Sequence, residues 1–233
     1  MNLRTAVLTA IFWMLLGATG LHGADEGWVK VLSQDGIDVW NKPSKKGETS
    51  WVRGTTTDSV RMEVLAQVLL DVTRYPRWMD DLKESRIVET TTADDYILYN
   101  RYRAIWPLWD RDIYLRVQVD RQIQKGLVTA TIQRFESPKY PPLDGVVRIP
   151  MMEGSLRMEY ISRTRTRGEF AQLVDLGGSL PAWAKDHINR KMPLAVLRYV
   201  RKACRDKDYI AAADTSAERR AIDVAVQSGA LRP

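Results

Sequence analysis

The sequence has few of the residues that form cross-links or hold metals: its 233 residues include one cysteine and two histidines. With Cys204 alone, no intrachain disulfide can form, so the fold depends on its apolar core. A zinc site needs several cysteine, histidine or carboxylate ligands in register, and the sequence shows no such cluster. We therefore expect neither disulfides nor a metal or other cofactor.

Motifs of catalytic sites are missing as well. The sequence contains no G-x-S-x-G nucleophile motif and no H-E-x-x-H zinc motif. His187 is the only histidine beyond residue 24, and its charged surroundings favour a surface histidine over a catalytic one. The adjacent acids at residues 80–81 and 94–95 lie in polar stretches and are expected to be solvated. The sequence thus favours a protein without enzymatic activity.

The apolar run at residues 6–16 is too short, at about 11 residues, to be a confident membrane span of about 20. It follows Arg4 and precedes the small residues Gly20, Gly23 and Ala24, an order that is typical of a secretory signal peptide. We expect residues 1–24 to be cleaved and the protein to be exported, either periplasmic or secreted. An uncleaved N-terminal anchor is the alternative.

The net charge is moderately basic, +6 for the whole chain. Cleavage would leave about 209 residues with a charge of about +5, because Arg4 is the only charged residue removed. That length suffices for one domain with a sizeable core. A basic excess suits transient contact with an anionic membrane surface. No zinc-finger, ribonucleoprotein or basic-arm pattern accompanies the charge, so we expect no nucleic-acid partner.

Periodicity predicts a protein of many strands with two amphipathic helices. Residues 60–71 have apolar side chains at helical spacing, and a long helix is expected to begin near Pro181 and to kink or break at Pro193. Residues 28–32 are expected to form a short first helix, and residues 206–233 either a loose helix or a disordered tail. The strands, eight or nine and antiparallel, are expected at residues 36–40, 50–56, 86–90, 96–103, 111–120, 127–135, 145–149, 155–161 and 169–175.

The strand at residues 111–120 alternates apolar and polar side chains, which indicates a sheet with one apolar face. Because the two helices are the available cover, the predicted fold is α+β, a curved antiparallel sheet wrapped around the long C-terminal helix. Such an arrangement encloses a volume in which small ligands bind. The residues expected to line it are Ile113, Leu115, Val117, Val128, Ala130, Ile132, Leu156, Met158, Ile188, Met192, Ala195 and Tyr199.

Four motifs carry a resemblance to a known family. Residues 106–112, W-P-L-W-D-R-D, are similar to a W-P-x-x-x-R-D signature before a central strand. Residues 35–40, 69–78 and 175–183 are similar to that family's first strand, the end of its first long helix and the start of its terminal helix, although Leu176 replaces the usual proline. Together, over residues 28–204, they resemble the START domain, the steroidogenic-acute-regulatory-related lipid-transfer domain.

The resemblance implies a helix-grip fold with a lipid-sized tunnel, no prosthetic group and usually no catalysis. The family's ligands include sterols, phospholipids and sphingolipids. We therefore predict that residues 25–205 form the lipid-binding domain of an exported, bacterial-type member, which binds and transfers a lipid or other apolar small molecule without acting as an enzyme. The alternatives are an aromatase/cyclase-like enzyme on the same fold and a structural envelope protein with a filled cavity.

Arg111 lies on the same side of its strand as Ile113 and Leu115. Its guanidinium is expected either inside the cavity, where a ligand headgroup or hydroxyl could share it, or in a structural ion pair. The resemblance implies that sterol-carrying members often place a carboxylate–arginine pair in the tunnel. Here the strand at residues 96–103 offers Asn100 and Arg101 but no acid. Asn100 and Arg111 are thus the predicted polar lining.

Two elements are predicted to contact a membrane while the ligand enters or leaves. The proline-rich loop at residues 137–144 contains an aromatic side chain that is expected to be exposed and that can lie at a lipid interface. The terminal helix has a basic outer face that can lie on anionic headgroups, with simple solvation of a surface helix as the alternative. The predicted contact residues are Tyr140, Arg190, Lys191, Arg198 and Arg201.

Overall fold

The computed structural model describes residues 27–42, 50–104, 108–178 and 191–233. Within these residues a single sheet has ten strands. The strands are β1 (Val29–Gln34), β2 (Ile37–Lys42), β3 (Trp51–Asp58), β4 (Leu82–Thr92), β5 (Asp95–Tyr102), β6 (Asp110–Gln122), β7 (Leu127–Arg134), β8 (Val146–Arg148), β9 (Met151–Ser162) and β10 (Arg165–Asp175). The helices are α1 (Met62–Leu70), α2 (Met192–Ala203), α3 (Lys207–Asp214) and α4 (Ala217–Gln227), with 3-10 turns at Val72–Arg77 and Ile123–Lys125.

The sheet has the strand order β1-β2-β3-β10-β9-β7-β6-β5-β4, and β8 pairs with the beginning of β6. The β6–β8 pair is parallel and the other pairs are antiparallel. Because β10 pairs with β3, the last strand joins the N-terminal strands to the rest of the sheet. The predicted α+β fold, a large curved antiparallel sheet with C-terminal helices, is confirmed.

The alternation of apolar and polar residues predicts most strands correctly, but the prediction for one short apolar segment is wrong. The pattern at residues 111–120 coincides with β6, and residues 60–71 contain α1. Residues 28–32 are predicted as a helix, but from Val29 onward they belong to β1, which pairs with β2. Pairing with a neighbouring strand outweighs the weak helical pattern of so short a segment.

The α2 helix packs on β2, β3 and β10. Leu194 and Leu197 are buried against Ile37, Val39 and Phe170. Gly54 on β3 permits this close approach, because a Cβ atom there would lie 2.7 Å from Cδ1 of Leu197. The predicted kink or break at Pro193 stays a prediction, because α2 begins at Met192 and residues 179–190 lie outside the described part of the chain. This proline occupies the first turn of α2, where its missing N–H costs no hydrogen bond. The predicted start near Pro181 lies outside the described residues.

Residues 206–233 form α3 and α4 rather than a disordered tail. The side chains of Asp206 and Ser216 accept hydrogen bonds from backbone N–H groups in the first turns of the two helices. Tyr209 and Ile222 are buried in the same apolar cluster as α1. The carboxylate of Glu63 on α1, which is also buried, pairs with Arg219 at 3.1 Å. Burial of these side chains therefore ties the C-terminal residues to the domain. Among the described helices, none is long and apolar enough to cross a membrane.

Candidate ligand cavity

An internal cavity of about 410 Å³ lies between the sheet and the helices. This volume falls within the range of about 300–1,000 Å³ that is typical of small-molecule sites. Most of the side chains predicted to line it do so: Leu115, Val117, Val128, Ala130, Ile132, Leu156, Met158, Met192, Ala195 and Tyr199. They come from β6, β7, β9 and α2, so the apolar phases of three strands and one side of the helix meet there.

Two residues that were predicted to line the cavity are not among the described residues of its wall: Ile113 and Ile188. Ile113 is fully buried among apolar neighbours that include Val72, Leu98 and Ile149, and it packs beneath the cavity wall rather than lining it. The strand alternation is therefore right about the face of Ile113 but cannot tell a packed position from a cavity wall. Ile188 lies outside the described residues.

The helix α1 and the turn that follows it also contribute to the cavity wall, which the sequence pattern alone did not predict. Leu65, Leu69, Val72 and Tyr75 line the cavity on the side opposite to the sheet. The apolar stripe of α1 was a usable signal, because such a stripe must pack against something. The hydroxyl of Tyr75 donates a hydrogen bond to the carbonyl oxygen of Leu69 at 2.5 Å, and burial raises its pKa well above the ordinary value.

A polar cluster interrupts the apolar wall where β5 and β6 pair. Arg111, Asn100 and Tyr102 all line the cavity, and Tyr102 lies directly opposite Arg111 in the strand register. Arg111 is 6% exposed and Asn100 is 5% exposed. The amide nitrogen of Asn100 donates to the Tyr102 hydroxyl at 3.2 Å, whereas Oδ1 of Asn100 and Nε of Arg111 have no hydrogen-bond partner in the described structure. Burial lowers the pKa of Arg111 and raises that of Tyr102.

Gln172, Thr166 and Arg201, three further polar side chains of the wall, have protein partners, although Nε of Arg201 and Nε1 of Trp78 have none in the described structure. Gln172 is 2% exposed, and its amide nitrogen lies 3.5 Å from Sδ of Met192. The hydroxyl of Thr166 donates to the carbonyl oxygen of Val60 at 2.8 Å. Arg201 pairs with Asp58 at 2.8 Å and donates to the hydroxyl of Thr56 at 2.9 Å. These groups hold α1, α2 and the sheet together.

The basic residues predicted to contact a membrane differ in exposure, and the membrane contact itself stays a prediction. Arg201 lines the cavity and is paired with Asp58, because its position on α2 faces the sheet rather than solvent. Arg198 is partly exposed but forms an ion pair with Asp35. Lys191 is exposed, and Arg190 lies outside the described residues.

Tyr140 is also not the exposed aromatic that the proline-rich loop suggested. Its ring stacks on Tyr114 at a centroid distance of 4.2 Å, and its hydroxyl donates to a carboxylate oxygen of Glu89 at 2.7 Å. This hydrogen bond lowers the pKa of Glu89. Among the described residues, Trp109 is an exposed aromatic, with 64% of its surface accessible. Trp109 adjoins Leu108, which lines the cavity. The W-P-L-W sequence could have indicated an apolar, aromatic segment at this place.

The acids at residues 94–95 form ion pairs, whereas Asp81 lines the cavity and Asp80 accepts a hydrogen bond from the Tyr199 hydroxyl at 3.4 Å. Asp94 pairs with Arg121 and Asp95 with Arg116, each at 2.7 Å. Among the described residues, no group of three or more histidines, cysteines or acids could hold a metal ion. His187 lies outside the described part of the chain.

Cys204 is a buried thiol at the end of α2, 6% exposed, and it borders the cavity. Burial raises its pKa to about 12. At pH 8 the reactive thiolate is then on the order of one molecule in ten thousand. We expect a thiol reagent such as DTNB to label the native protein at least about a hundredfold more slowly than the unfolded chain at that pH. Equal rates would show that the thiol is accessible in the folded state.

Comparison with known proteins gives consistent matches. A family model described as "START domain" matches residues 18–210. The chain is 23% identical over 189 residues to the phosphatidylcholine transfer protein of Rattus norvegicus, covering 80% of this chain and 86% of the relative. It is 22% identical over 191 residues to the mouse (Mus musculus) phosphatidylcholine transfer protein, with the same shares.

Solved structures show the same architecture. Human STARD10 superposes with a TM-score of 0.72 at 21% identity, covering 78% of this chain and 74% of that one. A fragment of a STAR-related lipid transfer protein from Xanthomonas axonopodis superposes with a TM-score of 0.67 at 23% identity, covering 78% of this chain and 100% of the fragment. At these identities the likeness establishes the fold.

Proposed function

The chain belongs to the START domain family, and from this premise we propose that it binds a lipid in the internal cavity and carries it between membranes without changing it chemically. The observation that carries the proposal is the largely apolar cavity of about 410 Å³, with the polar cluster of Asn100, Tyr102 and Arg111 in its wall. An apolar chain fits such walls, and the polar cluster orients a headgroup. The likeness to two phosphatidylcholine transfer proteins supports transfer as the use of this cavity.

The cavity also weighs against a structural envelope protein whose interior is filled by its own side chains. An unfilled apolar void loses dispersion contacts along its walls, so a protein that only needs stability gains by closing it. An apolar ligand that occupies the void restores those contacts. Binding of a ligand is therefore the simpler reason for the space between α1, α2 and the sheet.

A lipid-transfer assay tests the proposal directly. Catalytic amounts of the protein should accelerate exchange of a labelled lipid from donor to acceptor vesicles. The recovered lipid should have an unchanged mass, since the proposed function includes no reaction. No acceleration with any lipid class would contradict the proposal. A changed mass would favour the aromatase/cyclase-like alternative, which would use arginine and tyrosine side chains as polar guides.

We also propose export as the location of this activity, because residues 1–24 have the signal-peptide pattern. The domain would then begin at residue 25 and act at the outer face of a membrane, in the periplasm or outside the cell. N-terminal sequencing of the protein from its own source should find Gly23 or Ala24 removed together with the preceding residues. A sequence that starts at Met1 or Asn2 would contradict cleavage.

Transfer requires contact with a membrane, and we place this contact at Trp109. The side chain of Trp109 is 64% exposed, and this residue directly precedes β6. Leu143, which is 44% exposed, precedes β8, and β8 pairs with the beginning of β6. Tryptophan favours the membrane interface. We expect Trp109→Ala to slow vesicle-to-vesicle transfer roughly fivefold, as the loss of about 1 kcal/mol of apolar contact.

Equilibrium binding of a soluble lipid analogue should stay unchanged in Trp109→Ala, because this side chain is exposed and is not part of the cavity wall. The matched control is Val29→Ala. Val29 is 52% exposed on β1, an edge strand that is six positions away from β6 in the strand order, and its loss should leave transfer unaffected. If both variants transfer at the wild-type rate, membrane contact lies elsewhere. A charge contribution from exposed Lys191 should appear as slower transfer between anionic vesicles at higher salt.

A further inference from the structure

Arg111 carries a positive charge inside the cavity wall without a carboxylate partner. It is 6% exposed, and among the residues that the structure describes no aspartate or glutamate forms an ion pair with it. Removing a guanidinium from water is costly unless an opposite charge or several acceptors compensate. The only hydrogen bond of its guanidinium in the described structure runs from Nη1 to the carbonyl oxygen of Trp109.

The two carboxylates that flank Arg111 in sequence are used elsewhere. Asp110 accepts a hydrogen bond from Lys83 at 2.6 Å and pairs with Arg101 at 3.0 Å. Asp112 points to the opposite face of β6 and accepts two hydrogen bonds from Arg148, at 2.7 and 3.1 Å. Each of these acids therefore already has a cation of its own.

Arg201, a cavity-lining arginine on α2, differs from Arg111 in having a carboxylate partner. Arg201 reaches the carboxylate of Asp58 at 2.8 Å, so its charge is balanced within the protein. Arg111 has Asn100 and Tyr102 as its polar neighbours on β5, and both are neutral. Of these two arginines of the wall, Arg201 has a carboxylate partner and Arg111 has none among the described residues.

We infer that the lipid carries an anionic group, a carboxylate or a phosphate, that binds side-on to the Nε–Nη2 edge of Arg111. This inference rests on the proposed lipid-binding function and names the chemical class of the ligand. The free edge offers two parallel N–H donors, the geometry that suits two oxygens of one anion. Asn100 can assist, because the Tyr102 hydroxyl both donates and accepts and lets the amide turn its NH₂ group toward the anion.

Matched pairs of lipids test the inference. Oleate is compared with methyl oleate, and dioleoyl phosphatidic acid with dioleoylglycerol, so that each pair differs at the headgroup but shares its chains. The wild-type protein should bind the anionic member about 10- to 100-fold more tightly, as expected for hydrogen bonds to a charged group. The pair with the larger ratio distinguishes a fatty-acid carboxylate from a phospholipid phosphate.

The variant Arg111→Met removes the charge but keeps an apolar side chain in the wall. It should lose about 10- to 100-fold in affinity for the anionic lipid and retain the affinity for the neutral one. Gln172→Met is the matched control, because Gln172 is a buried, uncharged polar residue of the same cavity. It should leave the ratio between anionic and neutral lipids unchanged.

A second measurement does not depend on a variant that folds. The carboxyl carbon of labelled oleate, followed by NMR in the wild-type complex, should titrate at a lower pH than free oleate, because a neighbouring guanidinium favours the charged form. Equal binding of the anionic and neutral members of both pairs would overturn this inference and leave the proposed function standing. Failure of all four lipids to bind would overturn the proposed function itself.

Discussion

Replacing Asp112 by alanine should lower the free energy of unfolding by about 3–5 kcal/mol, the cost typical of removing one partner from a buried ion pair. Asp112 is fully buried, and its carboxylate accepts two hydrogen bonds from Arg148. Without it, the guanidinium of Arg148, whose side chain is 17% exposed, has no carboxylate partner in the described structure. Because the pair joins β6 to β8, the loss should also loosen the segment that leads from β8 into β9.

Urea denaturation of the purified protein measures this effect. The matched control is Glu84→Ala, which breaks an ion pair with Arg86 in which both side chains are about half exposed. Such surface pairs contribute about 0–1 kcal/mol, so the control should unfold at nearly the wild-type urea concentration. Similar losses in the two variants would mean that burial of Asp112 does not determine its importance.

Replacing Ala130 by tryptophan should abolish lipid binding while preserving the fold. Ala130 lies on β7 with its side chain in the cavity wall, so an indole there projects into the space that the ligand needs. The empty variant should unfold at the same or a slightly higher temperature than the empty wild type, because cavity filling commonly adds about 0.5–2 kcal/mol. Titration with a fluorescent lipid should show an affinity at least about tenfold weaker, a change of 1.4 kcal/mol or more.

The neighbouring residue provides the control for this substitution. Thr131 is exposed, and its side chain points to the other face of β7. Thr131→Trp adds the same indole to the same strand but outside the cavity, so lipid binding should persist. Loss of binding in both variants would indicate a general disturbance of β7 rather than competition for the cavity.

The fold and most of the cavity could be predicted from the sequence because they follow from alternation. Leu115 and Val117 on β6, and Val128 and Ala130 on β7, share the inner face of their strands, and two-residue periodicity determines that face. The same rule places Arg111 inside. It does not distinguish a packed position such as Ile113 from a cavity wall, since that depends on how far the covering helices stand from the sheet.

The exposure predicted for Tyr140 and Arg201 was wrong because it depends on tertiary partners. A tyrosine in a proline-rich loop appears exposed until a second aromatic ring is found beneath it, as Tyr114 is found beneath Tyr140. Basic residues on an amphipathic helix look solvated, yet Arg201 reaches Asp58, which is distant in sequence. For residues 206–233 the sequence did not decide between a helix and a disordered tail, because the burial of α3 and α4 depends on α1 rather than on their own sequence pattern.

The central claim is that one lipid occupies the cavity between the sheet and α2. Native mass spectrometry of the protein, after removal of bound lipid and incubation with mixed vesicles, measures this occupancy directly. The wild type should carry one lipid per chain, Thr131→Trp should do the same, and Ala130→Trp should remain empty. A wild-type protein that stays empty, or an Ala130→Trp variant that is loaded to the same extent, would contradict the account.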